Sequence, residues 1–180
     1  MKGIINKGIE EMVLSLHGEE LWARVKKAAG VEEPFFAVSL EYPDQSTLDL
    51  VGVLAEELSV SPREVMVAYG RWVVPHTLKK HYPTFIQLAG KDTRSFLLNM
   101  NRVHEMVTRS VANARPPTFE YEEQEDGGLL MRYRSDRQLC AVLEGLTLGV
   151  GDLFDQELKV EIRSCMLDGA SSCDMLVRFL

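Results

Sequence analysis

The chain has 180 residues, of which 46% are hydrophobic and 26% are charged, an ordinary balance for a globular protein with one core. Its formal net charge of −7 argues against electrostatic binding of nucleic acid or acidic lipid. No apolar run reaches the ~18 residues of a membrane span, and the opening residues are not those of a signal peptide. Three cysteines, an odd number, argue against a secreted disulfide framework, so we expect a cytoplasmic protein.

The N-terminal part of the chain has the periodicity of helices. Apolar residues spaced by three and four predict one helix that ends at Gly18 and a second that ends at Gly30. A third helix is predicted to start from an N-cap at Ser46. The next start is marked more clearly, because "SPRE" at residues 61–64 has the pattern of a capping box with proline at the first helical position.

A long helix is predicted from about Asp92 to Asn113, where the prolines of "ARPP" forbid its continuation. Its apolar stripe also carries a histidine, His104. The other members of the stripe are Phe96, Met100, Val103, Val107 and Val111. A histidine on an apolar face needs a reason. It is either a core histidine satisfied by a backbone carbonyl or a ligand, since neutral imidazole in an apolar wall suits an iron porphyrin.

After Pro117 the pattern changes to strands. "TFEYEEQ" and "LLMRYRSDR" flank the turn "EDGG", and "ELKVEIRSCML" and "CDMLVRFL" flank "DGASS", with a helical segment between these hairpins. Two hairpins can join into one antiparallel sheet that a helix covers. We therefore predict a single α+β domain: a helical N-terminal part, about residues 1–60, and a part of about residues 61–180 that includes a four-stranded antiparallel sheet with helices.

Three hydrogen-bond donors stand two residues apart in "YRSDR". On a continuous strand, Tyr133, Ser135 and Arg137 would share one face. Exposed strands often carry such residues without a ligand, but the row also suits a carboxylate, which arginine can bind through two parallel bonds. Together with His104, it would meet both needs of a haem, an axial base in an apolar slot and donors for two propionates.

With these features, the sequence resembles the H-NOX family, the haem nitric oxide/oxygen-binding domains related to the sensory domain of soluble guanylate cyclase. The resemblance runs from "MKGIINKGIEEMV" through "NRVHEMV", "RPP" and "YRSDR" to "CMLDGASSCDMLVRFL". A chain of this size resembles the bacterial, stand-alone branch of the family. The resemblance implies a haem b buried between the helical part and the sheet.

The resemblance also implies a role for particular residues. His104 matches the proximal ligand of the haem iron, and Pro117 matches a proline that presses on the porphyrin. The matches to the propionate-binding signature are Tyr133, Ser135 and Arg137. The matches to apolar residues packed against the ring are Ile5 and Leu146.

The distal side of the haem decides which gas is held, because bound O₂ gains from a hydrogen-bond donor and ferrous NO needs none. In family members that hold O₂ stably, a tyrosine lies five residues beyond the signature arginine. That position is Val142 here, and a neighbouring aromatic donor falls on Ile9. The resemblance therefore implies binding of NO and CO with weak or no binding of O₂, unless a polar side chain from residues 70–77 enters the pocket.

The family mechanism implies a sensor without catalytic activity of its own. Loss of the iron–His104 bond would let the helix that carries His104 move, and a partner would detect the movement. In bacteria the usual partner is a histidine kinase or a cyclic-di-GMP enzyme. Two alternatives are a haem or thiol redox protein that uses the C-terminal cysteines and an interaction module that lacks haem.

The cysteines Cys140, Cys165 and Cys173 lie in the C-terminal part of the chain. Some family members hold zinc with three cysteines at this spacing and a histidine whose position is Ile162 here. A structural zinc site normally has four protein ligands. Three interpretations therefore stay open: a zinc site completed by another group, a redox-sensitive thiol or disulfide, or three partly buried thiols that behave as small apolar residues.

Overall fold

The computed structural model describes residues 1–109 and 115–180. The helices are α1 (Gly3–Ala28), α2 (Asp44–Leu58), α3 (Pro62–Val73), a π-helix (Val74–Leu78), α4 (Lys79–His81), α5 (Pro83–Ala89), α6 (Thr93–Leu98), α7 (Met100–Thr108) and α8 (Cys140–Leu153). The strands are β1 (Thr118–Glu123), β2 (Leu129–Arg134), β3 (Leu158–Ser164) and β4 (Cys173–Phe179), with a short 3₁₀ helix at Met166–Asp168. Within the described ranges, no helix is long and apolar enough to span a membrane.

The predicted helix boundaries in the N-terminal part are largely confirmed. Gly18 interrupts α1 with φ +85° and ψ 177°, and Gly30 follows its end with φ +66°. The capping box of α3 is also present, since Ser61 N donates to Glu64 Oε2 at 2.7 Å and Glu64 N donates to Ser61 Oγ at 3.2 Å. These signals are local in sequence, which is why periodicity and capping patterns find them.

The predicted start of α2 is wrong by three residues. The helix begins at Asp44 with Pro43 as its N-cap, so Ser46 lies inside the first turn and does not cap it. Pro43 holds an extended backbone that stops the helix from starting earlier, and a carboxylate in the first turn interacts favourably with the helix dipole.

The single long helix predicted from Asp92 is also wrong. Two helices, α6 and α7, are separated by Asn99, whose backbone is not helical at φ −91° and ψ 5°. The side-chain Nδ2 of Asn99 donates to the Ala89 carbonyl at 2.8 Å, and such side-chain bonds to the backbone compete with helix continuation. Val111 and the predicted helix end at Asn113 lie outside the described residues.

The four strands form one antiparallel sheet in the order β1-β2-β4-β3, as the two predicted hairpins require. Tyr133 of β2 pairs with Phe119 of β1 on one side and with Cys173 of β4 on the other. The sheet residues that are buried in the same core as the helices include Leu129, Met131, Tyr133, Cys173, Met175 and Val177. The sheet and the helices therefore share one core.

Helices α3 and α8 approach so closely that their contact requires two glycines. A Cβ atom on Gly70 would overlap the Val142 carbonyl oxygen and lie 2.7 Å from Leu146 N. A Cβ atom on Gly145 would overlap the Val67 carbonyl oxygen. Because the blocking atoms are backbone, no side-chain rotation can relieve the overlap. This contact holds Val142 and Leu146 of α8 directly against α3.

We expect Gly70→Ala to lower the free energy of unfolding by about 1–3 kcal/mol, as overpacking of a core does. Gly52→Ala is the matched control, since Gly52 lies within α2 and its missing Cβ would meet nothing within 4 Å. That change should stabilise the protein by roughly 0.5–1 kcal/mol through helix propensity. Urea unfolding measures both values, and equal stabilities of the two variants would contradict the close approach of α3 and α8.

Candidate functional site

His104 lies on α7 with its imidazole half-buried. Its Nδ1 is 2.8 Å from the Met100 carbonyl oxygen, one turn earlier. Since a carbonyl can only accept, Nδ1 carries the hydrogen and Nε2 has a lone pair, with no partner for Nε2 among the described residues. Burial lowers the pKa of His104 and outweighs the bond to the Met100 carbonyl, which acts in the opposite direction. The imidazole is therefore neutral at pH 7 and can offer Nε2 to a metal.

Aromatic contacts connect His104 to the sheet. The ring centroid of Phe119 lies 5.6 Å from that of His104 and 5.5 Å from that of Tyr133. Phe119 and Tyr133 are cross-strand partners, and both side chains are buried. Burial also raises the pKa of the Tyr133 phenol, so its hydroxyl keeps its proton and can donate. Phe119 thus connects two of the residues singled out in the sequence, His104 and Tyr133.

The predicted strand row of Tyr133, Ser135 and Arg137 is wrong. Strand β2 ends at Arg134, and the chain then turns, with Gln138 N donating to the Ser135 carbonyl at 3.1 Å and Gln138 at φ +50°. The turn is needed because the chain must leave the sheet and begin α8 within a few residues. Tyr133 alone is on the strand, while Ser135 and Arg137 lie on the turn that follows it.

Arg137 is held by an ion pair with the start of α2. Its Nε donates to Asp44 Oδ2 at 3.0 Å, while Asp44 Oδ1 accepts from the amino group of Met1 at 2.7 Å. The Met1 ammonium and then the Arg137 guanidinium lower the pKa of Asp44. Among the described residues, neither Nη group of Arg137 has a hydrogen-bond partner. The guanidinium therefore keeps a pair of donors for a further carboxylate.

The apolar candidates lie on α1 and α8 and just before β1. Ile9 is 1% exposed. The half-buried members of this set are Ile5, Val142, Leu146 and Pro117. Ile5, Val142 and Leu146 pack against the core that contains Ile9. None of these side chains can donate a hydrogen bond.

The sequence leaves open whether a polar side chain from residues 70–77 enters the distal pocket. The Thr77 hydroxyl is fully buried but already donates to Glu11 Oε2 at 2.8 Å. His76 is exposed, and its ring stacks on that of Trp72 at 3.6 Å between centroids. The Trp72 Nε1 is buried and has no hydrogen-bond partner among the described residues. Within this segment, Trp72 therefore has an unsatisfied donor.

Glu11 forms a network that the sequence gives no reason to expect. Its carboxylate accepts from Thr77 Oγ1 and Lys80 Nζ at 2.8 Å each and from His81 Nε2 at 3.0 Å. Partial burial alone would raise the pKa of Glu11, but the bonds from Lys80, His81 and Thr77 outweigh it and lower the pKa to about 2. The network ties α1 to the π-helix and α4, across 66 to 70 positions of sequence.

The three cysteines converge as their spacing in the sequence suggests. Their Sγ atoms all lie within 4.8 Å of one another, and those of Cys165 and Cys173 are 3.6 Å apart. All three are free thiols, Cys140 and Cys173 are buried, and burial raises the pKa of both. Cys173 Sγ also accepts from Met166 N at 3.2 Å. Among the described residues, no histidine or carboxylate completes this cluster.

Comparison with known proteins places this fold and these residues in a family. Residues 2–162 match the family model described as Haem-NO-binding. The chain belongs to the haem-NO-binding family. Soluble guanylate cyclases gcy-34 and gcy-32 of Caenorhabditis elegans are 27% and 26% identical to this H-NOX chain over 168 residues, or 91% of it. The alignments cover 24% and 25% of those relatives, so the chain spans about a quarter of their length.

Solved structures share the fold of this H-NOX chain. An H-NOX protein from Shewanella oneidensis in the Fe(II)NO ligation state has a TM-score of 0.89 at 22% identity, covering 100% of this chain and 99% of that one. An oxygen-binding H-NOX domain related to soluble guanylate cyclases, in its oxygen complex, has a TM-score of 0.84 at 23% identity, covering 99% and 95%. The predicted α+β fold is thus confirmed. Since one neighbour carries NO and the other O₂, the fold does not decide the gas.

The family binds haem, and its members are gas-sensing domains related to those of the soluble guanylate cyclases. The donor set of this H-NOX chain fits such a group, because a neutral imidazole with a bare Nε2 lies beside Phe119, which in turn contacts Tyr133, whose hydroxyl can donate. Arg137, on the turn after β2, offers guanidinium donors.

We expect Glu11→Gln to lower the free energy of unfolding at pH 7 by about 1.5–3 kcal/mol, because it weakens hydrogen bonds made to a charged acceptor. The pKa of Glu11 is lowered from 4.5 to about 2, so its contribution is present above pH 4.5 and lost as the pH falls towards 2. The difference between wild type and variant should therefore shrink over that window.

Urea unfolding at pH 7 and at pH 3 measures this difference. Glu19→Gln is the control, since Glu19 is an exposed carboxylate on the same helix. A difference that is the same at both pH values would contradict the role of the Glu11 charge.

Proposed function

We propose that this chain is a haem-based gas sensor that binds haem b, takes up NO and CO at ferrous iron and holds O₂ weakly or not at all. The observation that supports this most directly is His104, a neutral, half-buried imidazole with a free Nε2 beside the Phe119–Tyr133 pair. Membership of the haem-NO-binding family supports the choice of ligand. The proposal gives the chain no catalytic reaction of its own.

The proposed role of His104 is to ligate the iron through Nε2. Bound haem supplies a ferrous iron with an open position where a diatomic gas can bind. The Met100 carbonyl holds the Nδ1 hydrogen and so sets both the tautomer and the ring orientation. Because burial already keeps the imidazole neutral, His104 needs to lose no proton before it binds metal.

Tyr133, Ser135 and Arg137 are proposed to bind the two haem carboxylates. The Tyr133 and Ser135 hydroxyls can each donate one bond, and the guanidinium can donate two through its Nη groups while Nε stays on Asp44. The ion pair with Asp44 would orient the guanidinium before the carboxylate arrives. The three residues can converge on a ligand from the end of β2 and its turn without sharing a strand face.

The gas preference is proposed to come from the apolar side chains of α1 and α8. Val142 and Ile9 would face the gas and offer it no hydrogen bond, which disfavours O₂ and leaves NO and CO unaffected. Ile5 and Leu146 would pack against the porphyrin, and Pro117 would press on it from the segment before β1.

The signal is proposed to arise when His104 releases the iron on NO binding. Helix α7 would then shift relative to the sheet, as an element with two positions that a single ligand bond selects. We propose that residues 1–180 act as one sensing domain in the cytoplasm, with a histidine kinase or a cyclic-di-GMP enzyme as the partner.

Absorption spectroscopy of the purified, reduced protein tests this proposal. We expect a haem band that shifts when NO or CO is added. In air, the spectrum should show no stable oxy complex. We expect Val142→Tyr to make the protein retain O₂, since it places a phenol donor at the proposed gas site. Val142→Phe, which has nearly the same shape as Val142→Tyr but no hydroxyl, should not retain O₂.

Retention of O₂ by the wild-type protein would contradict the apolar gas site, and Trp72→Phe would then show whether the unpaired Trp72 Nε1 is the donor. Absence of a haem band after reconstitution would overturn the function itself. In that case the alternatives are a thiol redox protein and an interaction module without haem.

A second candidate function rests on the cysteine cluster. We propose that Cys140, Cys165 and Cys173 bind a zinc ion. A tetrahedral zinc with Zn–S bonds of about 2.3 Å places its sulfur ligands about 3.8 Å apart, close to the 3.6 Å between Cys165 and Cys173. Burial raises the pKa of Cys140 and Cys173, so a metal would have to displace the protons of these two thiols.

Metal analysis of the purified protein tests this second proposal. We expect about one zinc per chain, lost in Cys173→Ser. Ile162→His should tighten zinc binding by about tenfold or more in a chelator competition, because it supplies the fourth ligand that a closed site needs. Protein without zinc, in which Cys165 and Cys173 oxidise to a disulfide, would favour the redox interpretation instead.

A further inference from the structure

Asn101 of α7 is bonded to the main chain of β1 through both ends of its amide. Its Nδ2 donates to the Phe119 carbonyl at 2.8 Å, and its Oδ1 accepts from Phe119 N at 2.9 Å. The side chain is partly buried at this contact. A side-chain amide has the same donor and acceptor as a peptide group, so Asn101 satisfies both main-chain groups of one strand residue.

The position of Phe119 in the sheet explains why these groups are available. Strand β1 is at one end of the order β1-β2-β4-β3, so alternate residues turn their N–H and C=O away from β2. Phe119 is such a residue, and Asn101 takes the place that a neighbouring strand would occupy. An aspartate could accept from Phe119 N but could not donate, and its charge would lie against the Phe119 carbonyl oxygen.

His104 lies three residues after Asn101, on the same side of α7, and its ring contacts that of Phe119. Phe119 is thus bonded through its main chain to Asn101, by a pair of bonds that clamps α7 to β1, and its ring contacts that of His104. No residue of α7 is fully buried, although Met100 and Val103 pack against the core, so the two bonds from Asn101 are the hydrogen bonds that tie the helix to the main chain of the sheet.

We propose that Asn101 is the positioning residue for His104, because it clamps α7 to β1 at Phe119 and so sets where the imidazole stands. The inference rests on the proposed function in one respect, the role of His104 as the iron ligand. With the clamp intact, α7 is held where His104 stays on the iron. Without it, α7 shifts more easily and His104 is released more readily when NO binds.

Three variants of the haem-loaded protein test this inference. Asn101→Ala removes both bonds, and Asn101→Asp keeps the acceptor and loses the donor. Asn99→Asp is the matched control, since it makes the same change at the start of α7 and removes a bond to the Ala89 carbonyl without touching Phe119. The bond from the Tyr121 hydroxyl to the Leu97 carbonyl, at 2.6 Å, remains as a second link between β1 and the helices in all three.

The first measurement is amide hydrogen exchange at Phe119 in the ferrous protein. We expect exchange to rise about fivefold or more in Asn101→Ala, the effect of losing one hydrogen bond. It should stay near the wild-type value in Asn101→Asp and in Asn99→Asp, where the acceptor for Phe119 N remains.

The second measurement is the rate at which His104 leaves the iron after NO is added, read from the absorption spectrum in a stopped-flow experiment. We expect this rate to rise at least twofold in both Asn101 variants and to be unchanged in Asn99→Asp. A purely structural role would lower stability and haem content without separating these variants in this readout.

An unchanged rate in both Asn101 variants, or an equal rise in Asn99→Asp, would overturn the inference. If the wild-type protein bound no haem, the proposed function would fail by itself. Exchange at Phe119 would then still decide the clamp: faster exchange in Asn101→Ala supports it, and unchanged exchange overturns it.

Discussion

The backbone contact between α3 and α8 is the constraint on which the rest of the candidate site depends. With glycine at positions 70 and 145 the two helices touch through their main chains, and this fixes where Val142 and Leu146 stand. Helix α1 is drawn into the same contact at Gly8, where a Cβ atom would lie 2.9 Å from a side-chain carbon of α3. The two helices that carry most of the apolar candidates, α1 and α8, are thus held against α3 by contacts with little room for adjustment. We therefore expect a movement that reports a ligand to come from an element that is packed less closely than α1, α3 and α8.

Two carboxylates, those of Glu11 and Asp44, add long-range bonds to these packed helices. Glu11 binds groups from the π-helix and α4, and Asp44 binds both the Met1 amino group and Arg137, 93 positions away. In each case the opposing charges keep the carboxylate ionised, so the tie persists at neutral pH. The Asp44–Arg137 pair also has a chemical consequence. A guanidinium that is already held through Nε presents its remaining donors in a fixed direction, which lowers the entropy that a bound carboxylate would otherwise cost.

Features that depend on neighbouring residues could be predicted from the sequence, and those that depend on distant contacts could not. The capping box at Ser61 and both hairpins are local patterns, and they are found where they were expected. The break at Asn99 depends on the Ala89 carbonyl ten residues earlier, and the Glu11 network depends on groups nearly seventy residues later. The candidate site divides in the same way. His104 and Tyr133 both contact Phe119, but the strand row does not exist, because the chain turns directly after β2 to begin α8.

Helix α7 is held differently from helices α1, α3 and α8. It has no fully buried residue, and Val107 on its predicted apolar stripe is 40% exposed. Moving it therefore costs little buried apolar area, and its place is set by a few specific contacts, chiefly those of Asn101 and His104 with Phe119. The break at Asn99 gives the helix a joint at its start. Under the proposed function, a bond at His104 Nε2 would add one more contact to these few, so making or breaking that bond can shift where the helix lies.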